Sequence, residues 1–166
     1  MKIRVAKEIL WNSLVNGEGV RAVIFFSGCK RNCKGCQNKE LQDFNAGIER
    51  EVSDVVNEIL GDLEMIDGVT ISGGDPVYQM EGLTELCREL KKHNINIWLY
   101  TGELVQNLYN KNTELCKDLV DVIVDGPYIE ELRNPDLKYR GSSNQKIWSF
   151  QQKEMINSCK NIFKCE

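Results

Sequence analysis

Ala22-Val23-Ile24-Phe25-Phe26-Ser27-Gly28-Cys29-Lys30-Arg31-Asn32-Cys33-Lys34-Gly35-Cys36 is the stretch on which the reading of this chain turns. Its first five residues form a continuous apolar run that stops at Ser27-Gly28, which predicts a buried strand. The loop that follows carries C-x3-C-x2-C, three thiols within eight residues. Thiolates are soft ligands suited to iron–sulfur clusters or zinc, and three on one tight loop can reach three corners of a compact metal centre. A closed zinc site needs four ligands, and an ordinary cubane takes four cysteines. Only three are local here, no second C-x2-C pair exists, and the one histidine, His93, falls near the end of a predicted helix, where a solvated position is expected. Spacing alone leaves three readings open. These are a cluster with one metal position free for a non-protein ligand, a zinc ion borrowing a distant cysteine, and bare thiols.

Outward from this stretch, short apolar strands alternate with amphipathic helices. Val52, Val55, Val56, Ile59 and Leu60 recur at helical spacing, and Gly68-Val69-Thr70-Ile71 then reads as a strand stopped by Ser72-Gly73-Gly74. Met80, Leu83, Leu86, Cys87 and Leu90 make another helical stripe, and Ile95 to Tyr100 a third strand closed by Thr101-Gly102. A helix over 103–119 and a strand over 120–124, ending in Asp125-Gly126-Pro127, complete the pattern. Such alternation predicts parallel βαβ units, whose working residues sit in loops beyond the carboxyl ends of the strands. The cysteine loop, Ser72–Asp75, Thr101-Gly102 and Asp125-Gly126 should therefore gather on one rim.

The chain has 166 residues, a length that suits a single domain over 1–166, with a formal net charge of −4. That balance argues against nucleic acid as a partner, and no apolar run is long enough for a membrane span. With charged residues throughout 1–20 and an odd count of seven cysteines, a cytoplasmic protein without a disulfide framework is expected. Cys87 and Cys116 read as core residues, Cys159 and Cys165 as part of a frayed tail, and Trp98 as core. Tyr100 reads as core with a possible reach to the rim.

C-x3-C-x2-C after the first buried strand resembles the radical S-adenosylmethionine (SAM) superfamily. The resemblance implies that Cys29, Cys33 and Cys36 hold a 4Fe–4S cluster whose fourth iron is chelated by S-adenosyl-L-methionine. Ser72-Gly73-Gly74-Asp75-Pro76 matches the superfamily's Gly-Gly-Glu-like element, which implies that backbone at Gly73 and Gly74, together with Asp75, meets the ammonium of SAM. Gly35 and Gln37 are implied as backbone contacts beside the cluster. Within the superfamily, Asn16-Gly17-Glu18-Gly19-Val20-Arg21, Val124 to Leu132 and Tyr139-Arg140-Gly141-Ser142-Ser143-Asn144-Gln145 are similar to the activating proteins of anaerobic ribonucleoside-triphosphate reductases. The likeness runs over roughly residues 10–148.

It implies an α/β fold, an open partial (β/α) barrel with the cluster loop after the first core strand. It further implies reductive cleavage of SAM to a 5′-deoxyadenosyl radical that makes a glycyl radical on the large catalytic subunit of the reductase. Lys30, Arg31 and Lys34 are either solvated or a docking patch for a flavodoxin-like electron donor. Arg140 to Gln145 is either a partner contact or a polar turn. The Gly-Glu-Gly at 17–19 is also similar to 7-carboxy-7-deazaguanine synthase, a small-molecule enzyme that stays as an alternative, as does a zinc-stapled binding module.

Overall fold

Four segments of this chain carry side chains buried on both faces. They are 21–26, 68–71, 97–99 and 122–125, with Phe25 alone partly open. Such strands need cover above and below, and the chain places them side by side at the centre of a sheet. The computed structural model describes residues 1–149 and the two strand residues 160–161. Its strands are β1 (Lys2–Val5), β2 (Leu10–Ser13), β3 (Arg21–Phe26), β4 (Ile48–Glu51), β5 (Gly68–Gly73), β6 (Ile97–Tyr100), β7 (Val122–Asp125), β8 (Lys146–Ser149) and β9 (Lys160–Asn161). The helices are α1 (Val52–Gly61), α2 (Met80–Lys91) and α3 (Val105–Lys111).

The sheet order is β4-β1-β3-β5-β6-β7-β8-β9, with β2 also pairing β3. β3, β5, β6 and β7 are parallel, in a register that pairs Ile24 with Ile71, Ile71 with Leu99 and Leu99 with Ile123. Each step between them crosses over through α1, α2 or α3, as βαβ units require. The expected parallel sheet is thus its centre only. β1, β2, β4, β8 and β9 add antiparallel edges that the sequence did not announce. These strands are at most four residues long, and most contain exposed positions, so no apolar run marks them.

Strand alternation sends Ala22, Ile24, Phe26, Val69, Ile71, Ile97, Leu99 and Ile123 to one face. There they pack with the apolar stripes of α1, α2 and α3 in the main core. Cys87 and Cys116 lie in that core, as expected. The opposite face carries a smaller cluster of Trp98, Val122, Val124 and Ile147, with Tyr100 and Tyr139 against it. Among the described residues, that face is covered by loops rather than helices. The helix expected over 103–119 is broken. Asn112 accepts from the Leu115 amide at 2.9 Å and donates to Thr84 Oγ1 at 2.8 Å, ending α3 and starting a π-helical turn at Leu115–Leu119. Cys159 and Cys165 lie outside the described residues.

Candidate functional site

The loop after β3 is pinned at its base by main-chain hydrogen bonds. Gly28 N–H donates to the Leu41 carbonyl at 2.8 Å, Cys29 N–H to that of Gln42 at 2.9 Å, and Asp75 N–H to that of Gly28 at 3.0 Å. Beyond this base, Cys29, Cys33 and Cys36 are free and half-buried. All three line one cavity of about 760 Å3, together with Gly73, Gly74, Asp75, Thr101, Gly102 and Gly126. The loops predicted to share a rim do share it, because the parallel strands all point their carboxyl ends the same way.

Burial pushes the Cys29 thiol up from its ordinary pKa, the Arg31 amide opposes this, and the charge of Asp75 adds to it. Among the described residues, no three His, Cys, Asp or Glu side chains surround a single-ion position. The three thiols face a common cavity, and three soft thiolates on one loop fit a multi-iron centre, with one iron per thiolate.

Gly73 and Gly74 are required by how closely two loops approach. Gly73 has φ +118°, and a Cβ on it would lie 2.2 Å from the Phe26 carbonyl oxygen. A Cβ on Gly74 would lie 2.6 Å from the Leu41 oxygen and 2.7 Å from that of Gly28. The turn after β5 therefore packs backbone against backbone on the cysteine loop, and both glycines still border the cavity. Gln37 borders it as well, and Asn38 Nδ2 donates to the Gly73 carbonyl at 3.3 Å. Gly35 lies in the loop over Glu130.

Asp75 is buried, at 1% exposure, and its carboxylate accepts from four donors. These are the Thr101 hydroxyl at 2.8 Å, the Gly102 amide at 3.0 Å, Arg31 Nε at 3.0 Å and, capping the 3-10 turn Pro76–Gln79, the Val77 amide at 3.4 Å. A carboxylate offers about four lone-pair sites. The contact with an incoming ammonium expected of Asp75 would require one of these donors to leave. Nothing in the sequence flags Arg31, Thr101 or Gly102 as its partners, since they lie 44, 26 and 27 positions away.

Arg31 also lies 3.7 Å from Glu103, whose carboxyl is held down at about 2 by hydrogen bonds from Lys111 and Asn107. Burial works against the Arg31 charge, but the hydrogen bond and charge of Asp75 outweigh it and raise the Arg31 pKa. Lys34 is exposed and pairs with Glu130 at 3.0 Å and Glu131 at 3.8 Å. The three cations of the loop thus do not form one free patch. Lys30, exposed and 5.9 Å from the Phe44 ring centre, is the one that makes no ion pair among the described residues.

On the loop-covered face, below the cavity, Arg21 is buried among the Thr70 hydroxyl, Asn96 Oδ1 and the carbonyls of Val69 and Asn96. Burial lowers its pKa to about 10. It stacks over Trp98 at 5.8 Å, and Tyr139 meets the same ring edge-on at 5.3 Å. Tyr100 packs there, donates to the Tyr139 carbonyl at 2.7 Å and borders the cavity, so it serves both core and rim.

Residues 15–148 match the family of 4Fe-4S single cluster domains. The chain is 34% identical over 144 residues to the anaerobic ribonucleoside-triphosphate reductase-activating protein of Haemophilus influenzae, covering 82% of this chain and 92% of that one. It is 37% identical over 141 residues to the protein of the same name from Enterobacteria phage T4, covering 81% and 87%. The chain belongs to the family of anaerobic ribonucleoside-triphosphate reductase-activating proteins. Among solved structures it is similar to QueE from Escherichia coli, with a TM-score of 0.51 and 18% identity over 60% of this chain and 53% of that one, a likeness of fold.

In this activating-protein chain the Arg140–Gln145 segment is engaged from within. Gln145 Oε1 accepts from the amides of Gly141 and Ser142 at 2.9 and 3.2 Å, and its Nε2 donates to the Gly126 carbonyl at 3.1 Å. Asn144 donates to the Pro127 carbonyl at 2.7 Å, and the Ser142 hydroxyl accepts from the Ile129 amide at 3.2 Å. The segment staples the loop after β7, which forms one wall of the cavity through Gly126, Pro127 and Tyr128.

Proposed function

We propose that this chain makes a glycyl radical on the large catalytic subunit of an anaerobic ribonucleoside-triphosphate reductase. It would do so in the cytoplasm, as a single domain with the fold of an open partial (β/α) barrel. The observation that carries the reading is three unpaired cysteines of one loop opening onto one cavity, in a member of the activating-protein family. A 4Fe–4S cluster held by Cys29, Cys33 and Cys36, with S-adenosyl-L-methionine bound, would supply the chemistry, reductive cleavage of a SAM carbon–sulfur bond.

The residues divide the remaining work. Cys29, Cys33 and Cys36 hold three irons and leave the fourth open to SAM. Gly73 and Gly74 offer backbone to the methionine part, with Gly35 and Gln37 beside the cluster. Asp75 contributes through the loop it fixes, since its acceptor sites are occupied. Phe25, Tyr100, Pro127 and Tyr128 line the cavity and give it an apolar and aromatic wall beside the reacting group. A flavodoxin-like donor delivers the electron at the cluster loop, where Lys30 is exposed.

The test is anaerobic reconstitution with iron and sulfide, then addition of SAM and dithionite and chromatography for 5′-deoxyadenosine. Wild type yields it and Cys33→Ala does not; with the reductase subunit present, wild type also gives a glycyl-radical resonance. A colourless zinc protein that forms no product would overturn the reading.

A further inference from the structure

We propose that Arg31 and Asp75 form a latch that holds the cysteine loop against the strand rim, and that Arg31 is a positioning residue for cluster uptake. This rests on the reading that Cys29, Cys33 and Cys36 hold a cluster. Arg31 sits midway between Cys29 and Cys33, in a span with little anchorage of its own. Among the described main-chain hydrogen bonds, the only one that involves residues 30–35 runs from Cys36 N–H to the Cys33 carbonyl, within the loop itself. Two ion-pairing side chains tie this span to the rest of the molecule. Lys34 does so from a side chain 79% exposed, where pairs are screened and weak. Arg31 instead reaches inward to Asp75, whose carboxylate is 1% exposed and fixed by Thr101, Gly102 and Val77. A charge-assisted hydrogen bond onto a rigid, buried acceptor is the stronger anchor.

Gly102 carries the second, independent mark of this contact. The Arg31 side chain lies across it so closely that a Cβ there would stand 2.4 Å from Arg31 Cδ and 2.5 Å from Nε. The rim is thus shaped to admit the arginine. One carboxylate joins three loops: the cysteine loop, the turn after β5 and the turn after β6. The carboxylate of Asp75 is here bound to the chain's own guanidinium.

Two variants separate the latch from general damage. Arg31→Gln removes the charge, whereas Gly102→Ala leaves every charge and cysteine in place and displaces the guanidinium by volume. In the metal-free protein, hydrogen exchange of the bonded amides of Cys29 and Cys36 should quicken about tenfold in both, with the amides of α2 unchanged. After anaerobic reconstitution both should carry less iron and sulfide per chain than wild type and show an altered electron paramagnetic resonance spectrum, and Arg31→Lys should restore part of each. Unchanged exchange and full iron in both variants would overturn the latch. So would Arg31→Gln with a full cluster and tighter SAM binding, because Arg31 would then merely occupy a ligand position. If wild type itself took up no cluster, the proposed function would fail, while the exchange measurement would still decide whether the loop is latched.

Discussion

Cys29 shows how a single residue can be legible in one respect and hidden in another. Its place in C-x3-C-x2-C makes it a candidate metal ligand, because thiols at that separation share a loop. Its protonation is a tertiary property. Burial raises its pKa above the ordinary 9.0, and Asp75, 46 positions along the sequence, adds to the shift. The thiol is therefore protonated at neutral pH in the metal-free protein, and iron uptake must release a proton, so uptake gains as pH rises. Iodoacetamide labelling of metal-free protein, followed by mass spectrometry, should give a pH midpoint for Cys29 above 9.0, and Asp75→Asn should bring it down. A midpoint at or below that of a free thiol would contradict this account. Arg31 is the opposite case. It reads as one of three solvated cations, yet it turns inward, because its partner comes from another strand's turn.

The elements followed the same division. β3, β5, β6 and β7 are readable as apolar runs because burial on both faces leaves few polar positions among them. The antiparallel edge strands are not, since four residues with exposed members carry too little pattern. One helix is expected over 103–119, but the Asn112 side chain captures the Leu115 amide and divides it. The Arg140–Gln145 segment reads as either a partner contact or a polar turn. Its side-chain bonds to 126–129 show that it braces the loop after β7. Gln145→Ala strands the amides of Gly141 and Ser142 and the carbonyl of Gly126, and should cost about 1–3 kcal/mol in urea unfolding. It should also speed hydrogen exchange at 126–132. Unaltered stability and exchange would return the segment to a surface role.

At the scale of the whole molecule, charge decides how a redox partner is met. The chain carries a formal net charge of −4, so the proposed acidic donor would be repelled in general and would need a local exception. Arg31 and Lys34 are committed to Asp75, Glu130 and Glu131, which leaves Lys30 beside the cluster loop. Lys30→Glu should slow reduction by flavodoxin severalfold at low salt while leaving reduction by dithionite unchanged. Equal slowing with both reductants would remove Lys30 from the docking face. The described helices contain no span long and apolar enough to cross a membrane.

The sequence by itself determined the alternation of buried strands and helices, the cysteine loop after the first central strand and the set of turns that share its rim. Each of these follows from local spacing and from the common direction of parallel strands. Packing alone sets the antiparallel edges of the sheet, the demand for glycine at 73 against the end of β3 and at 74 against the base of the cysteine loop, and the hold of Arg31, Thr101 and Gly102 on Asp75. Those facts arise between residues tens of positions apart, where a short-range pattern carries no information and packing makes the choice.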